Sequence, residues 1–374
     1  MPVLAVVSLL LAGALVPSVS GPSEEASAPG SANAPAAAAP TAAVSPAPPT
    51  PAPAPGAPAP STAPPAPVIR RVVVTIDDLP GVGTHLTLPR LVDVNHRLMK
   101  ALREAKAPAA VFVNEGKLEV EGETAARTAV VKDWLDAGFT LGNHTSSHKG
   151  LTATPLSEWE DDVVRGETVL KSLLGAKGQK LAWFRHPFTQ TGPTAEIRKA
   201  AGDFLAGRGY RVAPVTIEYS DWVFAALHED AAYRPDREAM QQVEDAYLAY
   251  FDLMVDWYAG LSRDTFGREI PQVLLLHANA LNANLLPQLL DRLKTKGYQF
   301  VTLDEALADP AYATPDGYVG PWGPSWFHRW RAGLNLPSKF KDEPDPPGWI
   351  LELWETLRKK PEAPKASATA PARP

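Results

Sequence analysis

The chain has 374 residues, 39 of them proline and none of them cysteine, with a formal net charge of −6. Without cysteine there are no disulfides, no thiolate metal sites and no lipid attachment through an N-terminal Cys, so any metal must be held by His, Asp or Glu. The acidic balance and the lack of any Lys/Arg run exclude a phosphate-tracking groove and leave no case for a nucleic-acid partner.

Residues 1–20 read as a signal peptide or anchor, built on the apolar run from Val3 to Val16. That run is short for a bilayer span but suits a leader core, and Ser18 and Ser20 before Gly21 supply small residues for cleavage. No Lys or Arg precedes the run, which leaves two readings: a start further upstream, or an uncleaved anchor. Export to the periplasm or beyond is the expectation, with residues 3–16 able to tether the chain to a membrane. Residues 21–67 are nearly all Ala, Pro, Ser, Thr and Gly, with too little large apolar surface to offset ordering entropy, and read as a disordered linker.

From residue 68 to 310 apolar runs alternate with helical periodicity. "RRVVVTIDD" reads as a strand buried on both faces. Leu91, Val94, Leu98, Ala101 and Ala105 follow at helical spacing, then the strand "AAVFVNEG". A helix through Val130, Val131, Trp134 and Leu135, closed by Gly138, precedes the strand "FTLGNH". Thr154-Pro155 reads as a cap and first turn of a helix carrying Trp159, Val163, Leu170 and Leu174. "LAWFRHP" is a fourth strand and Pro193 to Ala206 a helix. "YRVAPVTIEYSDW" is a fifth strand, and Arg237 to Leu261 a long helix. "VLLLHAN" is a sixth strand, Leu286 to Leu293 a helix stopped by Gly297, and "QFVTLDEAL" a last strand and short helix. The alternation predicts one α/β domain of about seven parallel strands, in a barrel or an open sheet. Residues 311–358, rich in Trp, Gly and Pro, read as a wrap burying apolar surface, with a sugar-binding rim as the alternative. The tail, 359–374, reads as disordered.

Polar residues of catalytic type follow the apolar runs: Asp77 and Asp78, His144, Arg185, Asp221 and His277. In parallel α/β architectures the carboxyl ends of strands gather on one face, where active sites are built. Singly each has a plain structural explanation: a cap, an ion pair, a satisfied core histidine. Five strand ends terminating this way together point to a site. Two adjacent aspartates at a buried strand end repel each other unless a cation sits there. "HTSSH" spaces His144 and His148 to share a face if the segment forms a helical turn. Two imidazoles and one carboxylate leave an open position for water on a zinc-like ion, whose effect on that water's pKa provides a nucleophile without Ser or Cys. No G-x-S-x-G elbow is present, and in "GVGTHL" Leu86 stands where a dinucleotide loop needs its third glycine.

Residues 70–308 resemble the polysaccharide deacetylases of carbohydrate esterase family four, on five ordered motifs: "TIDD", "HTSSH", "RHPF", "SDW" and "LLLH". The resemblance implies a distorted (β/α) barrel and a divalent metal, usually zinc, held by Asp78, His144 and His148. It implies Asp77 as general base, His277 as general acid, Arg185 orienting Asp77, Asp221 paired with His277, and Phe188 and Trp222 as groove walls. The expected substrate is an N-acetylated glycan outside the cytoplasm, cleaved to acetate and a free amine by a monomeric enzyme. Ile76, Phe188 and Glu218 depart from the family's usual residues, which bears on substrate identity rather than on the catalytic set. Two alternatives stand beside this: a small-molecule amidase whose pocket is closed by the insertion from His228 to Arg268, and a non-catalytic, tethered glycan-binding envelope protein.

Overall fold

Every residue of the run "VVVTIDDL" is shielded from solvent in strand β1 (Arg70–Leu79), as its unbroken apolar character requires of a strand covered on both faces. The computed structural model describes residues 69–359; the expected leader and linker, and the expected tail beyond its first residue, lie outside them. The other strands are β2 (Ala109–Val113), β3 (Thr140–Asn143), β4 (Trp183–Phe184), β5 (Arg211–Val212), β6 (Gln272–His277) and β7 (Tyr298–Phe300). All pairings are parallel, in the order β5-β4-β3-β2-β1-β6, with β7 on the first residues of β1. After β5 the chain crosses to the opposite edge. Ala213 donates its N–H to Phe184 O at 2.8 Å, whereas Thr216 and Ile217 donate theirs to Val273 O at 3.0 Å, and Ile217 bridges Leu274. One extended segment therefore pairs with β4 at its start and β6 at its end, curling the sheet into the distorted (β/α) barrel of seven parallel strands.

The helices are α1 (Leu88–Ala105), α2 (Thr124–Asp136), α3 (Leu156–Arg165), α4 (Thr168–Gly175), α5 (Ala195–Gly207), α6 (Asp221–Tyr233), α7 (Arg237–Phe266), α8 (Ala280–Thr295), α9 (Leu303–Leu307), α10 (Trp326–Gly333) and α11 (Gly348–Arg358). Several boundaries differ from the periodicity. β4 and β5 are far shorter than their apolar segments: past the bonds from Arg185 N–H to Asn143 O and from Ala213 N–H to Phe184 O, Pro187 and Pro214 have no N–H to give. The helix expected to run from Trp159 to Leu174 is two, broken at Gly166, where a Cβ would meet Asn143 Oδ1 at 2.7 Å. Pro155, not Thr154, occupies the cap of α3. Among the described residues no helix is long and apolar enough to cross a membrane.

Period-two alternation sorts the strand residues into an outer set, covered by helices, and an inner set. The inner cluster joins Val73, Ala110, Phe112, Trp183, Ala213 and Val273 to Leu303 and Ala306 of α9. Moving up β1 the same face carries Val73, then Thr75, then Asp77. Up β2 it carries Ala110, Phe112 and Asn114; on β4 and just beyond, Trp183 and Arg185. The interior is apolar at one end and polar at the other, and the polar end is the carboxyl end of every strand. Gly142 of β3 makes this stacking feasible, since a Cβ there would lie 2.5 Å from the Phe112 ring.

The Trp-rich segment packs inward. Trp326, Phe327 and Trp330 are buried, and Trp326 donates its N–H to Val215 O at 2.8 Å. The fully buried Arg329 donates to Thr189 O at 2.6 Å and Thr191 Oγ1 at 2.8 Å, fastening this segment to the loop that bears Phe188.

Candidate active site

Strand register brings the distant motifs together. Asp77 of β1 is the direct partner of His277 on β6. Leu79 pairs with Val113, Val113 with Asn143, and Asn143 with Phe184. His144 and Arg185 are thus each one residue past the paired rung, and they extend the ladder: His144 N–H donates to Val113 O and Arg185 N–H to Asn143 O, both at 3.0 Å.

Asp77 and Asp78 both belong to this end, although neighbours in a regular strand face opposite ways. The irregularity is at Asp78, whose φ is 71°, a left-handed conformation uncommon for any residue but Gly, Asn or Asp. Thr145, His148 and Phe188 also have positive φ, at 62°, 57° and 55°. Backbone held this way in several adjoining loops is a mark of a site whose geometry is imposed by its surroundings.

The HTSSH segment is not the helical turn that would have placed both imidazoles on one face. It is a loop with left-handed kinks at Thr145 and His148, and these bring the two rings edge to face with centroids 4.8 Å apart. Its hydroxyl residues serve the loop itself. Ser147 gives its N–H and Oγ–H to Asp162, at 3.0 and 2.7 Å, while Thr145 N–H donates to Asn143 Oδ1 at 2.7 Å.

Asp78, His144 and His148 each offer an atom to a cluster within 4.8 Å. His144 is buried, and its Nδ1 lies 2.8 Å from Arg185 O. A carbonyl only accepts, so Nδ1 carries the hydrogen and Nε2 keeps a lone pair, the orientation that metal-binding imidazoles adopt. Burial holds both imidazoles below their ordinary titration range, hence neutral, and the adjacent ring adds to this at His144. Burial alone would raise Asp78, but Lys117 and the neighbouring imidazoles outweigh it and hold the carboxyl far below its usual range. The set is two neutral nitrogens and one ionised oxygen, which suits a zinc-like cation. Lys117 Nζ also touches Asp78 Oδ1, at 2.8 Å.

Asp77 faces Arg185, whose Nη1 lies 3.3 Å from both carboxylate oxygens. The guanidinium is itself fixed by Thr75 Oγ1 at 3.0 Å and Ala213 O at 2.9 Å, with the Phe112 ring 4.6 Å away. Burial raises the Asp77 carboxyl and Arg185 only partly offsets it, so Asp77 titrates at about 6. The two aspartates are each given a cation by the chain, Arg185 and Lys117, so their adjacency does not by itself demand a metal. Across the site His277 Nδ1 meets Asp221 Oδ1 at 2.6 Å. Burial lowers that imidazole, but Asp221 more than reverses it and His277 titrates at about 9. Glu218 accepts the N–H of Ser220 at 2.9 Å, a turn contact that a shorter Asp or Asn could equally make.

Phe188 is 37 % exposed and lies edge to face on His148 at 4.5 Å, at the rim of the cluster. Trp222 is half-buried against Trp354 of α11 at 5.3 Å. Three residues here were not among the expected set. Asn114, fully buried, donates to His144 O at 2.6 Å; it follows the apolar run of β2 just as the others follow theirs, so the strand-end rule applied to β2 finds it. Lys117 and Asn282 lie in a 3₁₀ turn and a helix, with no comparable signal.

Residues 66–204 match the family of polysaccharide deacetylases, a span that contains the first three motifs and stops short of Asp221 and His277. Among curated proteins no sequence matches the chain. Solved structures similar to it include the polysaccharide deacetylase Bc1974 from Bacillus cereus, at 18 % identity and TM-score 0.42, over 62 % of this chain and 91 % of that one. A family 4 carbohydrate esterase from Streptomyces lividans in complex with acetate is 21 % identical with TM-score 0.37, over 61 % and 90 %. BA3943, a CE4 family pseudoenzyme from Bacillus anthracis, is 16 % identical with TM-score 0.43, over 65 % and 66 %.

Proposed function

We propose, from the premise that residues 66–204 match the polysaccharide deacetylase family, that the protein is a metal-dependent hydrolase removing N-acetyl groups from the amino sugars of an exported glycan. The observation that carries this is the convergence of Asp78, His144 and His148 on one point, with Asp77 beside it and His277 across one rung of the sheet. These three residues would hold the divalent cation, and the cation would supply Lewis acidity towards the attacking water and the amide carbonyl.

The chain's own residues divide the proton work. Asp77, titrating at about 6, is ionised at neutral pH and takes the proton of the attacking water. Arg185 fixes both its oxygens. His277, titrating at about 9, carries a proton at neutral pH and gives it to the departing nitrogen. Asp221 holds that imidazole through Nδ1, leaving Nε2 for the substrate. Phe188 and Trp222 are assigned to the groove walls. Export is inferred from the apolar run at residues 3–16 and the Ala/Pro linker that follows.

The test is acetate release from N-acetylglucosamine polymers with added zinc, and its loss on chelation and in Asp77→Ala. Turnover of small N-acyl amides in preference to any polymer would redirect the reading to an amidase. Zinc binding without turnover of either would make the protein a glycan-binding one.

A further inference from the structure

Helix α7, which lies in the insertion between the fourth and fifth motifs, sends one side chain to the acid side of the site. Tyr247 is fully buried, and its hydroxyl donates to Asn282 Oδ1. Asn282 is equally buried near the start of α8. Its amide donates one hydrogen to Asp221 Oδ2 at 2.6 Å and the other to His277 O at 2.8 Å. Asp221 Oδ2 also accepts the backbone N–H of His277 at 2.9 Å, and Oδ1 meets His277 Nδ1 at 2.6 Å. Beyond Tyr247 the chain ends at Tyr219, whose hydroxyl is 2.6 Å from that of Tyr247.

The donors can be ordered by elimination. An amide oxygen only accepts, so the single hydroxyl hydrogen of Tyr247 goes to Asn282 and the Tyr219 hydroxyl must donate to Tyr247. Each hydrogen therefore points the same way, from Tyr219 through Tyr247 and Asn282 to the Asp221 carboxylate. Turning the Asn282 amide over would set its oxygen against the Asp221 carboxylate and a carbonyl, two groups that only accept, so those contacts fix the amide and leave its oxygen to the Tyr247 hydroxyl. A polarised, fully satisfied buried chain of this kind strengthens each of its bonds and fixes one arrangement.

We propose that Tyr247 and Asn282 are positioning residues for the acid half of the reaction: they lock Asp221, and Asp221 holds His277 with its hydrogen on Nδ1 and Nε2 directed at the substrate. The insertion thereby acts on the chemistry through a hydroxyl rather than by shaping the groove.

The kinetic half of the test rests on the deacetylase reading; the spectroscopic half does not. Tyr247→Phe removes only the hydroxyl. Tyr250→Phe is its control, since Tyr250 is on the same helix, also buried, and gives its hydroxyl to Pro344 O at 2.8 Å, away from Asp221. The readouts are kcat and KM on an N-acetylated glycan, and the downfield Nδ1–H resonance of His277 in the metal-free protein, assigned by its loss in His277→Gln. Loss of one buried hydrogen bond in the chain should lower kcat roughly tenfold with KM little changed, and shift or broaden the resonance, while Tyr250→Phe leaves both as in the parent. A Tyr247→Phe protein whose resonance matches that of Tyr250→Phe overturns the proposal. If Tyr247→Phe does not fold, Tyr219→Phe, one bond further out, is judged by the same two readouts. If the parent turns over no N-acetyl substrate, the deacetylase reading falls and the resonance alone decides the network.

Discussion

Replacing Arg185 with Met tests the base side of the site and the stacking beneath it. The guanidinium is fully buried and serves Asp77, Thr75, Ala213 and the Phe112 ring at once. Removing one partner of a buried ion pair costs about 3–5 kcal/mol, because the other charge is left unpaired. For a domain of this size that corresponds to a Tm loss of about 10 °C. Part of the loss must depend on pH. Asp77 titrates at about 6 in the fold against 3.8 as a free group, so the fold holds its proton more tightly than the unfolded chain. Its ionisation therefore costs stability, about 3 kcal/mol, that is lost as pH rises from the unfolded value through 6. Without Arg185, which lowers that carboxyl, the folded value moves higher and the cost grows. Thermal unfolding of chelated protein, followed by circular dichroism, should then show the Arg185→Met deficit to be several kcal/mol at about pH 8 and much smaller at about pH 5, where Asp77 is neutral in both proteins. The bonds to Thr75 and Ala213 contribute equally at both pH values. An identical deficit at the two would show that Asp77 is not the group Arg185 supports.

Three further outcomes are expected. His148→Ala should weaken zinc binding by more than about 100-fold in competition with a chromophoric chelator, since even partners outside the ligand set are worth up to that much; unaltered affinity would remove His148 from the site. The kcat/KM profile should rise at or below about pH 6 as Asp77 loses its proton and fall by about pH 9 as His277 loses its own, since a cation on Asp78, His144 and His148 can only lower both groups. Asp221→Asn removes the charge that raises His277 and should bring the alkaline limb down, so a limb that stays in place would show that another group sets it. In Gly323→Ala the new Cβ would lie 1.8 Å from Phe188 O, so the loop bearing Phe188 must shift, at about 1–3 kcal/mol. KM for a glycan should rise more than kcat changes; a lower Tm with unchanged kinetics would place Phe188 outside the groove.

Much of the site was legible because strand ends are legible. A buried parallel strand must be apolar throughout, so the first polar residue after the run marks where the chain emerges, and Asp77, His144 and His277 all obey this. The same rule would have found Asn114. It does not reach Lys117 and Asn282, because in a 3₁₀ turn or a helix a polar residue faces solvent as readily as a site. It also misjudged β4 and β5, where "LAWFRHP" and "YRVAPVTIEYSDW" are apolar because they are buried, while the regular strand is confined to two residues of each.

The sequence by itself determined the alternation of strand and helix, the parallel sense that crossover helices force, and which residue types stand at one end of the barrel. Those follow from burial and periodicity, which are local and repeat along the chain. Only the tertiary structure decided which atoms meet. The left-handed turns at Asp78 and His148 are held by their surroundings, the carbonyl that sets the His144 tautomer comes from 41 residues away, and the Tyr247 hydroxyl reaches Asp221 through Asn282 across separations of 35 and 61 residues. Such contacts depend on register and packing, which no local pattern encodes.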